Sequence, residues 1–385
     1  MKIGIMTFWW SDDNYGQLLQ CFALQKYLRA AGHDAFIIRY RYSIGYKRKW
    51  SAFFKIFNPK LVYKEIKKLY KITKAKKDHE KNPRNFGEFR QKYIRVSDVY
   101  YSSFPELSQN PPDADVYITG SDQVWNVHSN PQESIPAYFL DFGSKSVKRM
   151  SYAASFGINK IDQRLQDDIK KMLSKFYYVS VREKKGLELC QNIGIRNAEL
   201  VPDPTLLLTS SEYRSLYNEN AVSVPKEKYC FVYMLNNKCD FSMGKISKWA
   251  KENNLTVKYV TGNLMLDKYE KMYPSIPEWL CLLDNADYVI TNSFHCCVFS
   301  LLFHKQFACI PLKGNIYEGM NSRLDSLFDQ FGVNRYIDQN YSILKDQINW
   351  NIVDVELDKL RNSVRFLDIL SKLEHNDNNY GHDLF

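Results

Sequence analysis

The residues of this chain that could bind an anion and move a proton stand where apolar runs end. His295 follows the run DYVITNSF, Arg182 follows YYVSV, and Asp122 lies in GSDQVWN. An imidazole can donate a proton near neutral pH, a guanidinium can hold a carboxylate or phosphate through two hydrogen bonds, and a carboxylate can act as a base. Together these residue types predict a pocket that binds a small anion and carries out acid–base chemistry.

Each of the three residues also has an ordinary structural role open to it. His295 could be a core histidine at a helix start, Arg182 could form a surface ion pair with Glu183, and Asp122 could cap a helix or close a turn. Their shared position favours chemistry, because the carboxyl ends of parallel strands meet at one edge of a sheet.

Other polar residues share this position at the ends of apolar runs. Asp203-Pro204-Thr205 follows ELVP, and Lys313 and Arg323 follow QFACIPL, where they could add positive charge to the pocket. The stretch NYGQ opens a helix, where Gly16 would let the backbone approach a ligand and the helix N-terminus would favour an anion. Ordinary capping by Asn14 is the alternative. We expect these residues to line one crevice that carries fixed positive charge and one protonatable ring.

Two stretches of alternating strands and helices must position these residues. The first begins with the strand KIGIMTF, the helix QLLQCFALQKYLRAAG and the strand AFIIRYR; the second begins near residue 225 with the strand KYCFVYML. Such alternation predicts parallel sheets. The fold class is therefore α/β, with two Rossmann-like domains facing a cleft, as in the glycosyltransferase-B type. The expected bounds are 1–215 with a basic insertion at about 44–85, 225–350, and 351–385 as a helix over 353–373 followed by a tail.

Composition and motifs exclude several classes of function. No run of roughly 20 apolar residues and no signal peptide is present, so we expect a cytoplasmic protein. The eight cysteines form no CxxC pair, and neither GxGxxG nor GxxxxGK[ST] occurs, so no metal, dinucleotide or P-loop site is expected. Much of the net charge of +10 lies in the aromatic, lysine-rich stretch 46–81. That stretch predicts a solvated helix or insertion, or a segment on an anionic membrane; nucleic acid is not expected as a partner.

At these residues the sequence resembles the polysaccharide pyruvyl transferase family. The resemblance covers most of the chain and rests on NYGQLLQCFALQKYL, YITGSDQVWN, SYAASFG, VSVREKKGLELC, VPDPTLLL and VITNSFHCCVFSLLFHKQFACIP, in this order. It implies a transferase that moves the enolpyruvyl unit of phosphoenolpyruvate onto a sugar, of galactose type, in a surface polysaccharide or its lipid-linked precursor. Phosphoenolpyruvate would be a co-substrate, and no cofactor is implied. A lipid-linked acceptor would suit a location at the inner face of the membrane.

The resemblance also implies roles for individual residues. Arg182 matches a donor-binding arginine, and His295 matches the histidine of an Arg-x-His segment whose arginine is replaced here by Ser293. The chemistry of such a transfer, considered separately, needs an acid and a base: His295 would donate the proton, Asp122 would act as the base or hydrogen-bond the acceptor, and Trp125 could stack on the sugar. The remaining expected donor-side residues are Asn292, Ser293, Lys313 and Arg323, and the remaining acceptor-side residues are Asn14, Tyr15, Gly16, Gln17, Ser121 and Gln123.

Two other functions fit the same sequence. One is a nucleotide-sugar glycosyltransferase of the same fold, which would bind a nucleoside diphosphate in its second half. The other is a non-catalytic carbohydrate or membrane adaptor that has lost the donor arginine.

Overall fold

The computed structural model describes residues 1–43, 59–263, 265, 267–314 and 318–379. Its first half contains one parallel sheet in the order β3-β2-β1-β4-β5, and a short parallel pair, β6 and β7, extends that sheet beyond β5 through single bridges. Its second half contains a parallel sheet in the order β11-β10-β8-β9. The strands are β1 Lys2–Met6, β2 Asp34–Tyr40, β3 Val96–Tyr101, β4 Val116–Thr119, β5 Lys148–Ser151, β6 Ser180–Val181, β7 Glu199–Leu200, β8 Tyr229–Met234, β9 Thr256–Thr261, β10 Tyr288–Thr291 and β11 Gln306–Cys309.

Helices connect the strands and cover both sheets. They are α1 Tyr15–Ala30, α2 Pro59–Lys81, α3 Phe86–Tyr93, α4 Phe104–Gln109, α5 Ile135–Tyr138, α6 Gln163–Leu173, α7 Lys184–Asn192, α8 Ser210–Asn218, α9 Met243–Glu252, α10 Ile276–Asp284, α11 Phe294–Leu302, α12 Glu318–Phe331, α13 Trp350–Ser363 and α14 Phe366–Asn379. Within these described ranges, no helix is long and apolar enough to cross a membrane.

The inner strands of both sheets are buried on both faces, which explains why they read as continuous apolar runs, whereas β3 and β7 have exposed residues. In β1, Ile3 and Ile5 pack into one core cluster and Met6 into another. All six residues of β8 are buried. The α/β class with parallel sheets and two Rossmann-like halves is therefore confirmed.

The two halves meet along the carboxyl ends of their strands. β1 lies between β2 and β4, and β8 lies between β10 and β9, so each sheet has its topological switch point there. On one side, helix α1, which begins after β1, contacts helix α11, which begins after β10. On another side, Gly319 of α12 lies so near Ile158 that an added Cβ would stand 2.6 Å from the Ile158 Cα. A crevice lies between the α1–α11 contact and the contact of Gly319 with Ile158.

The predicted helix over 353–373 is wrong as a single element. The chain forms α13 and α14, with Val364 and Arg365 between them. The reason is packing: Phe366 is fully buried, and its ring makes an edge contact with Tyr152 of the first half at 4.9 Å. Of the predicted insertion, residues 44–58 lie outside the described residues, and α2 occupies most of the remainder.

Candidate functional site

Arg182 lies at the centre of a buried polar cluster at the carboxyl end of β6. Its side chain is fully buried; Nη1 donates to Asp203 Oδ2 at 2.6 Å and to Ser121 Oγ at 3.0 Å. Its Nη2 lies 3.6 Å from Asp122 Oδ1, and its Nε lies 3.8 Å from Glu183 Oε2. Burial opposes the charge, but the three carboxylates outweigh it and hold the pKa of Arg182 above its ordinary value. This network rules out the surface ion pair as its role.

Asp203, just after β7, joins Arg182 to His295. Its Oδ1 accepts from the backbone N–H of Thr205 at 3.0 Å and from the Thr205 hydroxyl at 2.6 Å. Its Oδ2 lies 3.6 Å from His295 Nε2. Burial alone would raise the pKa of Asp203, but His295, Arg182 and the Thr205 hydroxyl together hold that pKa far below its ordinary value. Asp203 therefore remains a carboxylate that can orient the imidazole.

His295 is the second residue of α11, and its side chain is 7% exposed. Ser293 caps this helix by accepting from the Cys296 N–H at 3.3 Å. The imidazole packs directly against Gly16 of α1, where an added Cβ would stand 2.3 Å from its Cγ and Nδ1. The prediction that Gly16 admits a ligand is therefore corrected, because the group that approaches its backbone is the ring of His295.

Arg323 supplies the second cation. It projects from α12, and the centre of its guanidinium lies 5.6 Å from the ring centre of Phe294, against which Arg182 packs at 4.8 Å. With its carboxamide oxygen toward Arg323, Gln123 accepts from Nη2 at 2.8 Å and from Nη1 at 3.2 Å. Burial and the nearby Arg182 lower the pKa of Arg323 to about 10. The positive charge of Arg323 is thus poorly compensated, and a bound anion would stabilise the charged guanidinium.

A cavity of about 90 Å³ lies between the two halves beside these groups. Its lining includes Asn14, Asp122, Gln123, Asn236, Asn292, Ser293, Phe294, His295, Asn321 and Arg323. A second cavity, of about 100 Å³, is bounded by Arg182, Asp203, Phe294 and Arg323 and reaches Lys184. Both cavities share Phe294 and Arg323, so the cluster can be reached from two directions.

Four buried polar atoms of the cluster have no hydrogen-bond partner among the described residues. They are Arg182 Nε, Arg182 Nη2, Glu183 Oε2 and His295 Nε2. Buried polar atoms are nearly always paired with protein or water, so such a group marks a place where a polar ligand or water binds. Asp122 adds backbone strain, with φ at +81°, and its Oδ1 accepts from the Gln123 N–H at 2.8 Å. Strain of this kind is typical of functional sites.

The charge of the cluster differs from the prediction of a positive crevice. Arg182 and Arg323 face the three carboxylates Asp122, Glu183 and Asp203 within one buried network. The formal charge of these five side chains is −1, and a protonated His295 would bring the sum to zero. That form is the one that can donate a proton.

Three predicted ligand-binding residues line neither cavity. Trp125 is fully buried, its ring stacks on Phe139 at 5.2 Å, and its Nε1 donates to the Tyr138 carbonyl at 3.0 Å, so it cannot stack on a sugar. Tyr15 is equally buried, and its hydroxyl donates to the Pro274 carbonyl at 2.6 Å. The Lys313 side chain is 64% exposed and pairs with Asp240 at the surface.

Other predicted residues support the site more than they present free groups to it. Asn292 accepts from the Leu235 N–H and donates to the Asn236 carbonyl, both at 2.8 Å, and so fixes the loop after β8. Gln17 accepts from the Ser11 N–H at 3.0 Å. Ser121 belongs to the Arg182 network. Asn14 caps α1 and also lines the smaller cavity.

From the sequence, Asp203 and Glu183 are expected at strand ends near the cleft but receive no catalytic or binding role, and Phe294 is not singled out; all three contact the arginines. Glu183 Oε1 accepts from the Ser155 hydroxyl at 2.9 Å and from the Phe156 N–H at 3.1 Å, which fixes the loop after β5. The signal for Asp203 was its place between two prolines after a strand. Across the described ranges, no three His, Cys, Asp or Glu side chains converge as a metal site would require.

Comparisons with known proteins give a family match over most of the chain. The sequence profile described as "Polysaccharide pyruvyl transferase" matches residues 14–314. A search of curated proteins finds no match.

Solved structures with a similar fold are distant in sequence. The spinosyn forosaminyltransferase SpnP is 12% identical, with a TM-score of 0.45 and coverage of 97% of this chain and 98% of its own. The UDP-GlcNAc 2-epimerase from Methanocaldococcus jannaschii is 13% identical, with a TM-score of 0.46 and coverage of 93% of each chain. The glycosyltransferase SnogD from Streptomyces nogalater is 11% identical, with a TM-score of 0.38 and coverage of 94% of each chain.

Proposed function

This chain belongs to the polysaccharide pyruvyl transferase family, and from that premise we propose that it transfers the enolpyruvyl unit of phosphoenolpyruvate to a galactose-type sugar as a pyruvate ketal. The observation that carries the proposal is the buried cluster in which Arg182, Arg323 and His295 meet at the crevice with unpaired polar atoms. Phosphoenolpyruvate offers a carboxylate and a phosphate, which are the groups that guanidiniums bind through paired hydrogen bonds.

Arg323 takes the place of the family arginine that is replaced by Ser293. Its guanidinium packs on Phe294, the residue between Ser293 and His295. The positive charge of Arg323 therefore lies beside this segment, although Arg323 belongs to α12. The lowered pKa of Arg323 supports this role, because a buried cation that lacks full compensation gains from an incoming anion. Arg182, held by Asp203, would bind the second anionic group through Nε and Nη2.

The reaction needs one proton donor and one acceptor for hydroxyl protons. A protonated His295 gives its proton to the methylene carbon of phosphoenolpyruvate, and the central carbon becomes cationic. One sugar hydroxyl attacks that carbon and loses its proton to Asp122, whose carboxylate lies on the cavity wall. The C–O bond to phosphate then breaks, and a second hydroxyl of the same sugar closes the ketal. Phosphate leaves as hydrogen phosphate, so the two hydroxyl protons balance the new methyl hydrogen and the proton on phosphate.

Asp203 positions His295 in this scheme. The Asp203 carboxylate, 3.6 Å from Nε2 and so beyond hydrogen-bond distance, stabilises the imidazolium through its charge. It leaves Nε2 without a hydrogen-bond partner among the described residues, so that Nε2 can give its proton to the donor, while Gly16 packs against the Cγ–Nδ1 side of the ring. Restricting the ring in this way keeps its proton on one line of approach to the donor.

The test combines ligand-induced stabilisation with phosphate release. Phosphoenolpyruvate should raise the melting temperature and nucleotide sugars should not, and phosphate should appear only when a galactose-type acceptor is added. His295→Ala should lower turnover by about 10²–10⁴, whereas His128→Ala, at a half-exposed surface position, should leave turnover unchanged. Stabilisation by nucleotide sugars alone would favour a glycosyltransferase. A lack of any acceptor-dependent phosphate release would favour an adaptor.

A further inference from the structure

Helix α2 carries an apolar stripe that the rest of the described chain leaves uncovered. Ile66, Leu69 and Tyr70 are 60–65% exposed, and their i, i+3, i+4 spacing places them on one face of the helix. Ala75 is nine residues beyond Ile66, which is half a rotation around the helix, and it is 5% exposed. The stripe therefore points away from the body of the protein.

The same helix is strongly basic. Pro59–Lys81 contains nine lysines and three acidic residues. Lys74 and Lys77 are exposed beyond the stripe. A helix that combines an exposed apolar stripe with many lysines is typical of segments that lie in the interface of an anionic bilayer.

The anchored end of α2 leads to the rim of the crevice. Asp78 accepts from the Tyr273 hydroxyl at 2.9 Å. Arg84, buried just beyond the helix, packs over the ring of Tyr273 at 5.3 Å, and its Nη1 donates to the carbonyl of Asp13 at 3.5 Å. Asp13 precedes Asn14, which lines the cavity beside His295. A surface that holds α2 is therefore also brought near the mouth of the site.

We propose that α2 docks the protein on an anionic lipid bilayer, with Ile66, Leu69 and Tyr70 inserted at the acyl boundary and the exposed Lys74 and Lys77 against the headgroups. An anionic bilayer fits this helix on two counts. Its headgroups attract each nearby lysine, and its acyl region accepts the apolar stripe. Nucleic acid would use the lysines but not the stripe. The link to a lipid-carried acceptor rests on the proposed function; the docking itself does not.

Co-sedimentation with vesicles tests the proposal. The full chain should bind vesicles of phosphatidylcholine with phosphatidylglycerol and should bind pure phosphatidylcholine vesicles at least about tenfold more weakly. Ile66→Asp with Leu69→Asp should weaken binding to the anionic vesicles by about tenfold or more. The matched control is Ile352→Asp with Val355→Asp on α13, whose side chains are 56% and 54% exposed; it should bind as the wild type does.

A second pair of variants tests the charge. Lys74→Glu with Lys77→Glu should weaken binding by about tenfold or more and reduce its dependence on salt. Lys245→Glu with Lys248→Glu makes the same charge change on α9 and should have a much smaller effect. Equal binding by the α2 variants and the wild type would overturn the proposal, as would equal losses in the control variants or equal binding to neutral vesicles.

Two activity measurements separate this proposal from the proposed function. With a water-soluble sugar acceptor, the α2 variants should release phosphate from phosphoenolpyruvate at the wild-type rate. With a lipid-linked acceptor in vesicles, they should be slower. If no acceptor is pyruvylated but the α2 variants still lose vesicle binding selectively, the docking surface stands and the proposed function fails.

Discussion

Substitution of Gly16 by alanine tests the contact that holds His295 in place. Gly16 is the second residue of α1, and alanine at a helical position normally stabilises a protein by roughly 0.5–1 kcal/mol relative to glycine. Here an added Cβ would stand 2.3 Å from two atoms of the imidazole, whereas ordinary contact begins at 3.4 Å. The ring or the helix must therefore move by about 1 Å, an extent that can lower catalytic rates by about 10².

The chain offers a matched control for this substitution. Gly244 is the second residue of α9, and an added Cβ would meet nothing closer than the Tyr269 hydroxyl at 3.9 Å. Gly244→Ala should gain the usual helical stabilisation and keep full turnover. Gly16→Ala should instead lose about 1–3 kcal/mol in the free energy of unfolding, the range for overpacked cores, and about 10² in turnover.

The assays are urea denaturation and acceptor-dependent phosphate release, with a double-mutant cycle to identify the clash. In the His295→Gly background both the ring and the Cβ of residue 295, which would stand 2.5 Å from the added methyl group, are absent, so Gly16→Ala should cost little stability there. A gain in stability for Gly16→Ala equal to that of Gly244→Ala, with normal turnover, would refute the placement of the imidazole against α1. An equal loss of stability in both backgrounds would also refute it.

Three further substitutions test the roles of the charged and aromatic residues. Arg323→Gln should raise the KM for phosphoenolpyruvate by about tenfold or more, because a charge-assisted hydrogen bond is lost, while Lys313→Gln should leave it unchanged; initial-rate kinetics compare them. Asp203→Asn should lower the free energy of unfolding by about 3–5 kcal/mol at neutral pH, since Arg182 loses a buried partner. The pKa of Asp203 is held below its ordinary 3.8, so its contribution is present above that pH and is lost as pH falls below it. The gap between wild type and Asp203→Asn in urea denaturation should therefore narrow in acid, and an unchanged gap would contradict the pairing. Trp125→Phe should lose stability because Trp125 is a core residue, and an altered KM for the acceptor would contradict that placement.

The sequence predicted the residues whose position follows from a strand end. Arg182 and His295 come directly after buried apolar runs, and parallel strands bring such ends together whatever the loops do. The alternation of strands and helices likewise predicted both sheets, because fully buried parallel strands have a continuous apolar signature. These inferences depend only on which residues follow one another along the chain, and that is known from the sequence.

The direction in which a side chain points from a loop or a helix could not be predicted in the same way. Trp125 stands three residues from Asp122, yet Trp125 is buried in the core while Asp122, with φ of +81°, lies on the cavity wall. Lys313 and Arg323 both follow β11, but only the residue on α12 faces inward.

Contacts between the two halves are a further limit on prediction from sequence. Gly16 and His295 are far apart in the chain, and nothing near Gly16 shows that an imidazole will pack on it. Asp203 is similar, since its partner Arg182 lies on a neighbouring strand end and its partner His295 in the other half.

The most direct test of the central claim is mass spectrometry of the acceptor after incubation with phosphoenolpyruvate in D₂O. If His295 protonates the methylene carbon at the Arg182–Arg323 cluster, a galactose-type acceptor should gain one pyruvate ketal whose methyl group carries one deuterium, and the His295→Ala protein should yield almost none. An acceptor that gains a whole sugar from a nucleotide sugar, or a ketal formed equally fast without His295, would contradict the account.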